Sequence, residues 1–187
     1  MSESSFLCLL FFVITVSTIN AEDLIDQTCK KCENRSIILN YGLCSTSLQV
    51  IPVSHAANLQ GLALIAMELA LENATTTLST IEKLMMNTTS LDGDDEELAL
   101  RACLRDCLEL YSDAAWRIMN SIGAFLSENY ETTKTWMSSV MEAASTCQEG
   151  FAEKGEASPL TKENYNLFQL CGISLCIVHL STPAIPS

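Results

Sequence analysis

Nine cysteines, two histidines and one dense run of carboxylates are the residues in this 187-residue chain whose types and spacing could do chemistry. Cys29-Lys30-Lys31-Cys32 has the two-residue gap of a redox pair or of half a zinc site. A redox pair wants a strand before it and a thioredoxin-like βαβ setting, and neither pattern surrounds it. Zinc wants a second thiolate pair; Cys103 and Cys107, four apart on a helix, would complete a four-thiolate set with Cys29 and Cys32. The plainer alternative is that all four are structural. His55 and His179 are the whole histidine inventory, so a Ser-His-Asp arrangement has almost no material. Asp92-Gly93-Asp94-Asp95-Glu96-Glu97 places its glycine second, whereas a calcium loop of the EF-hand type needs it sixth. The run reads instead as a solvated helix start. Asp106, Glu109 and Asp113 share a helix without an acid–base partner. No G-x-S-x-G, H-E-x-x-H or P-loop motif occurs. The sequence therefore yields no catalytic residues, no cofactor-binding residues and no metal ligands, and predicts a protein that is not an enzyme.

Composition narrows the partners. The hydrophobic share is 48% against 18% charged, enough to build one domain with a real core. A net charge of −13 argues against nucleic acid and anionic lipid, because phosphate binding needs clustered cations. Phe6 to Val16 is an apolar run with one polar member, of a length that suits a signal-peptide core and is too short to span a bilayer. The leader before it carries no basic residue, unlike most signal peptides. Residues 1–21 are read as a signal peptide cleaved after Ala21, with no membrane partner afterwards. Loss of Glu3 and Cys8 leaves residues 22–187 with a net charge of −12 and eight cysteines. Secretion makes disulfides the default and gives meaning to the glycosylation sequons at Asn34, Asn73 and Asn87.

The elements that must position these residues are helical. Residues 22–53 form a cysteine-bracketed unit in which short helices flank the polar stretch between Cys29 and Cys44, a hairpin. Pro52 breaks the chain, and Ser54 is a candidate helix cap. A helix over about residues 56–87 carries the stripe Leu64, Met67, Leu71, Ala74, Leu78, Ile81, Met85. The acidic run then suits the first turn of a second helix, reaching about Leu126, with Leu104, Leu108, Tyr111, Ala115, Ile118, Ile122 and Phe125 inward. After a break at 127–129, Thr133, Trp136, Val140, Ala143, Cys147 and Phe151 mark a third. Ser158 caps a fourth, with Pro159 at its first position and Leu167, Leu170, Ser174 and Ile177 on one face. Short connections predict an all-α, antiparallel up-down four-helix bundle over residues 54–182. Cys107 and Cys147 lie on adjacent antiparallel helices that could bring them together. Cys32 with Cys103 is a further candidate pair. Helix spacing disfavours Cys171 with Cys176, which read as buried free thiols.

Several segments occur together in a familiar order. They are Thr28-Cys29-Lys30, Asn40-Tyr41-Gly42-Leu43-Cys44, Leu59-Gln60-Gly61-Leu62-Ala63, Cys107-Leu-Glu-Leu-Tyr111-Ser-Asp113-Ala114, Thr146-Cys147-Gln-Glu-Gly-Phe151, Ser158-Pro159-Leu160-Thr161 and Asn166-Leu-Phe-Gln-Leu170. The chain resembles the plant invertase and pectin methylesterase inhibitor family over essentially residues 22–187, nearest the plane-tree pollen allergen subgroup. The resemblance implies a disulfide-stapled hairpin before a four-helix bundle, with Cys29–Cys44 in the hairpin and Cys107–Cys147 between bundle helices. It implies that Cys171 is an unpaired fifth cysteine, while Cys32, Cys103 and Cys176 are additions to the pattern. It implies a secreted, non-catalytic partner of one target enzyme in a 1:1 complex, in the cell wall or the vacuole. Invertase inhibitors of the well-studied kind carry Pro-Lys-Phe between bundle helices two and three; here that region reads Leu126-Ser-Glu-Asn-Tyr130-Glu-Thr-Thr133, without the motif. Pectin methylesterase is accordingly the first expected target and invertase the second. Sequencing of the secreted protein is expected to begin at Glu22; a chain retaining Phe6–Val16 would contradict the signal-peptide reading.

Overall fold

The structure is a computed structural model that describes residues 23–87 and 95–182. Residues 1–21, read above as a signal peptide, and the acidic run up to Asp94 lie outside those residues. Six α-helices and one 3₁₀ turn make up the described chain: α1 Leu24–Arg35, α2 Tyr41–Gln49, the 3₁₀ turn Pro52–Ala56, α3 Leu59–Asn87, α4 Asp95–Leu126, α5 Tyr130–Glu153 and α6 Thr161–Ser181.

Local chemistry explains where they start and stop. Asp23 caps α1, its side chain accepting from Ile25 N, and Asn40 caps α2, accepting from Leu43 N at 2.8 Å. Asp95, Glu96 and Glu97 occupy the first turn of α4, where the helix dipole favours negative charge. Two expected caps are displaced. Ser54 lies buried in the 3₁₀ turn, and Asn58 does the capping of α3, accepting from Gly61 N at 2.9 Å. Pro52 opens a 3₁₀ turn that runs to Ala56, so Ser54 falls inside that turn and the next helix starts only at Leu59. Ser158 accepts from Leu160 N at 3.1 Å, but Pro159 sits in a turn and α6 begins at Thr161.

The four long helices contact one another as α3–α4, α4–α5, α5–α6 and α6–α3, an up-down bundle. The buried line of α3 runs through Ala63, Ala66, Met67, Ala70, Ala74, Thr77 and Ile81. The expected stripe shares its centre, but Leu64, Leu71, Leu78 and Met85 are only half-buried at its edge. Alanines hold the middle because α3 packs between α4 and α6 and has little room for larger side chains. On α4 the expected Leu104, Tyr111, Ala115, Ile118 and Phe125 are buried. On α5, Met137 and Ala144 join Thr133, Val140, Cys147 and Phe151, while Trp136 is half-buried.

Helix α6 is buried almost all round, from Asn164 through Gln169–Ser174 to Ile177 and Val178. Two bundle neighbours, α3 and α5, cannot cover every side of a helix; the α1–α2 hairpin supplies the outer cover. Gln169 is 2% exposed, and both ends of its amide are used: Nε2 donates to Ile38 O at 2.7 Å and Oε1 accepts from Asn40 N at 2.9 Å. Leu39 fills the space above Gly172, where a β-carbon would come within 2.5 Å of Leu39 Cδ2. Cys32 is bonded to Cys176, with Cα atoms 5.8 Å apart. This corrects two readings: Cys32 does not pair with Cys103, and Cys176 is not a free thiol. The hairpin lies against α6, so Cys32 meets that helix rather than α4.

The other bridges are Cys29–Cys44 within the hairpin and Cys107–Cys147 between α4 and α5, with Cα separations of 5.7 and 5.0 Å. In the chain-entropy picture the three closed loops are worth roughly 3 to 5 kcal/mol each before native strain is subtracted.

Replacing Gly172 by Val displaces the end of the Leu39 side chain, at the low end of the overpacking range of about 1–3 kcal/mol because that side chain can turn aside. Hydrogen exchange measured by mass spectrometry is expected to speed up across residues 24–49 and to stay slow in α4 and α5. Unchanged exchange in the hairpin would mean that Gly172 is not its seat.

Candidate functional site

The groups singled out for chemistry do not assemble. Cys29, Cys32 and Cys107 each end in a different disulfide, so the four-thiolate set with Cys103 does not exist. Cys103 and Cys171 remain as thiols, both buried. Burial pushes the Cys103 thiol up, against a partial pull from Lys154, and burial alone pushes Cys171 far up. Neither presents a thiolate nucleophile. Asp113 pairs with Arg117 one turn on, and Asp106 lies beside Arg105, as solvated helix-face charges do. Among the described residues no three His, Cys, Asp or Glu side chains are grouped to hold a metal. His55 sits at the base of the hairpin, with Nδ1 3.6 Å from Asp23 and Nε2 3.0 Å from Gln49 O. That placement ties the start of α1 to the end of α2.

The interior is closed by packing and by one polar chain. Tyr111 on α4 donates to Asn164 Oδ1 on α6 at 2.7 Å, and Asn164 Nδ2 donates to Gln148 on α5 at 3.0 Å. Burial, seconded by the charge of Glu163, raises the Tyr111 phenol well above its ordinary value, so it stays a donor.

What remains for function is the surface, and one face of it is unusual. Trp116 and Met119 on α4 are each 53% exposed, and Leu126 at the end of α4 is 65% exposed. Trp136 on α5 stands beside Trp116, ring centroids 5.8 Å apart and tilted by 49°. The α4 residues fall off the buried line of 111, 114, 118 and 125, so packing does not demand large apolar side chains there. An exposed tryptophan stacked on a half-buried one, beside Met119 and Leu126, is the kind of apolar face that marks a protein contact. Flanking charges are internally matched: Asp113 with Arg117, and Glu131 with Lys134 at 2.9 Å.

The turn at the end of this face is rigid. Glu128 N donates to Phe125 O at 3.0 Å and Asn129 N to Ala124 O at 2.8 Å, the paired bonds of a Schellman cap. Its left-handed position, usually glycine, is held by Glu128 at φ 59°. That choice costs about 1 kcal/mol and keeps a carboxylate at the tip. Asn129 caps α5, accepting from Thr132 N, and Tyr130 packs edge-on to Phe125 at 5.6 Å.

The sequence reading placed attention on Leu126–Thr133 but missed Trp116 and Met119. Their signal was present: two large apolar residues displaced from the helical stripe of α4. Of the three sequons, Asn34 is exposed in the last turn of α1 rather than in a loop, and Asn87 is exposed as the last residue of α3. Asn73 is half-buried mid-way along α3, with its Oδ1 buried and unpartnered.

Comparison with known proteins supplies the context for this face. The sequence profile of the family described as plant invertase/pectin methylesterase inhibitor matches residues 23–177. A protein of Platanus acerifolia named "Putative invertase inhibitor" is 36% identical over 183 residues, covering 96% of this chain and 98% of that one. The Arabidopsis thaliana protein named "Cell wall / vacuolar inhibitor of fructosidase 2" is 26% identical over 180 residues, covering 92% and 93%. The fold is similar to the crystal structure of a mutant form of a pectin methylesterase inhibitor from Arabidopsis. The TM-score is 0.65 at 21% identity, over 79% of this chain and 96% of that one.

Because both thiols are buried and held protonated, iodoacetamide is expected to label neither Cys103 nor Cys171 in the native protein at mildly alkaline pH. In denaturant without reductant it labels both and no other residue of 23–182. Native labelling of Cys171 would contradict the packing of α6.

Proposed function

The chain belongs to the plant invertase/pectin methylesterase inhibitor family, whose members inhibit enzymes and are not enzymes themselves, and from that premise we propose how it acts. It is a secreted inhibitor that lays the α4–α5 face, with Glu128 at its end, over the substrate cleft of one carbohydrate-active enzyme in a 1:1 complex. The observation that carries this reading is the Trp116–Trp136 pair on the outside of the bundle, Trp116 53% exposed and Trp136 half-buried. Tryptophan anchors give large contact area at low entropic cost. Disulfides and the rigid turn supply a surface that pays little ordering entropy on docking.

Invertase is the first target, since the relatives at 36% and 26% identity are named for inhibition of invertase and fructosidase. Pectin methylesterase is the second, supported by the absence of Pro-Lys-Phe between Leu126 and Thr133. The setting is the cell wall or the vacuole. A relative's name supports that, as does the apolar run Phe6–Val16. No helix of the described residues is long and apolar enough to cross a membrane. Exposed Asn34 and Asn87 are the better glycan acceptors; half-buried Asn73 is the poorest of the three. The acidic balance would steer the protein towards a basic enzyme, an effect on association rate that fades with salt.

Titration of the mature protein against secreted invertases and pectin methylesterases is expected to abolish one activity stoichiometrically. Trp116→Ala and Trp136→Ala are each expected to weaken inhibition about tenfold or more with unchanged helicity. Glu128→Gly is expected to stabilise the fold by roughly 0.5–1 kcal/mol while weakening inhibition. Full-strength inhibition by the tryptophan variants moves the site elsewhere, and no inhibition of either enzyme class at micromolar protein ends the proposal.

A further inference from the structure

Opposite the tryptophan face, between α3 and α6, lies a groove of about 310 Å³ that packing does not explain. Its walls are Asn73, Thr76 and Thr80 from α3 and Lys162, Glu163 and Asn166 from α6. Asn73 Oδ1 is buried there without a hydrogen-bond partner. A buried acceptor left unpaired is costly, and the groove offers a place from which a donor can reach it. The threonines reinforce the bias. Thr80 Oγ1 spends its proton on Thr76 O at 3.1 Å, and Thr77 Oγ1 at the floor spends its own on Asn73 O at 2.8 Å. The Thr80 hydroxyl therefore meets a ligand as an acceptor, while Thr77, 1% exposed and hydrogen-bonded to the Tyr111 hydroxyl, stays part of the core. Glu72 and Glu163 add carboxylates, Lys162 and Asn166 are the donors, and Leu69 offers an apolar patch.

We propose that this groove binds a neutral sugar unit. Such a ligand carries many hydroxyl donors that also accept, which suits an acceptor-rich wall with two donors set into it. Its C–H face suits Leu69. Two carboxylates against one ammonium disfavour a uronic acid, and Lys162 offsets part of the attraction they exert on an amine. The volume is at the small end of small-molecule sites, room for a sugar ring rather than a long chain. The site lies on the far side of the bundle from the proposed enzyme contact, so both can be occupied together and the inhibitor can be held on a neutral glycan while it works.

Thr75→Ala removes the sequon at Asn73 without touching the groove wall, and it serves as the reference protein. Its amide NMR spectrum is to be titrated with methyl glucoside, methyl galactoside and methyl mannoside, with methyl glucuronide and sorbitol as controls. At least one neutral glycoside is expected to give saturable shifts confined to residues 69–80 and 162–166, at millimolar affinity. The glucuronide is expected to bind several-fold more weakly, and Glu163→Gln to narrow that gap. Adding Asn73→Ala or Thr80→Val should weaken the neutral sugar about fivefold or more with the spectrum otherwise intact. The isosteric valine keeps the test valid if the Asn73 variant loses its fold. No saturable shift at tens of millimolar would mean that Asn73 is served by water only, and the proposal fails. It fails equally if sorbitol matches the glycosides or if neither variant weakens binding.

Discussion

A helix left with almost no solvent face along its middle is the constraint on which this molecule depends. Helix α6 is enclosed by α3 and α5 on two sides and by the α1–α2 hairpin on the outside. That enclosure puts a glutamine in a place where water cannot serve it. Gln169 must then find both a carbonyl and an N–H, and the hairpin connection supplies Ile38 O and Asn40 N at bonding distance. The same packing seats the Leu39 side chain over Gly172, which has no β-carbon to displace it, and places Cys32 against Cys176. The hairpin is thus a wall of the core, held by shape, hydrogen bonding and a covalent bond together.

Rigidity built in this way suits a protein that works by presenting a surface. The bundle has no assembled catalytic or metal-binding group among its described residues, and its two thiols are buried where desolvation keeps them protonated. Its interior polar atoms on Tyr111, Asn164 and Gln148 satisfy one another across three helices. The side chains that break the pattern are on the outside. Trp116, Met119 and Leu126 gain little from the fold, and Glu128 holds a backbone conformation that favours glycine. These are departures from local optimality that folding alone does not call for, which is where a docking function is most legible.

Little of the candidate site could be read in the chain before it was seen in space. Leu126–Thr133 stood out because it separates two apolar stripes, and the turn is there. Trp136 counted as core because it fits the spacing of Thr133 and Val140, yet the buried line of α5 passes through Met137 and leaves Trp136 half-covered. Periodicity gives the direction of a stripe to within a residue's rotation about the helix axis, about 100°. It does not say how far the neighbouring helix reaches round. The groove between α3 and α6 was not legible at all, because its walls come from segments some eighty residues apart and its orphaned acceptor exists only when both are in place.

The sequence by itself determined six helices, the up-down order of the last four and the material for three disulfides. Helical hydrogen bonds join residues four apart, and caps, breakers and apolar spacing all act within that same span. Even there, Ser54 and Ser158 show that a serine near a proline need not cap the helix that follows it. Only the tertiary structure decided that Cys32 belongs to Cys176, that Gln169 serves the hairpin and that the tryptophans stay outside. Each of those depends on which faces of distant helices abut, and a cysteine or an amide reads the same in the chain whichever partner the packing brings to it.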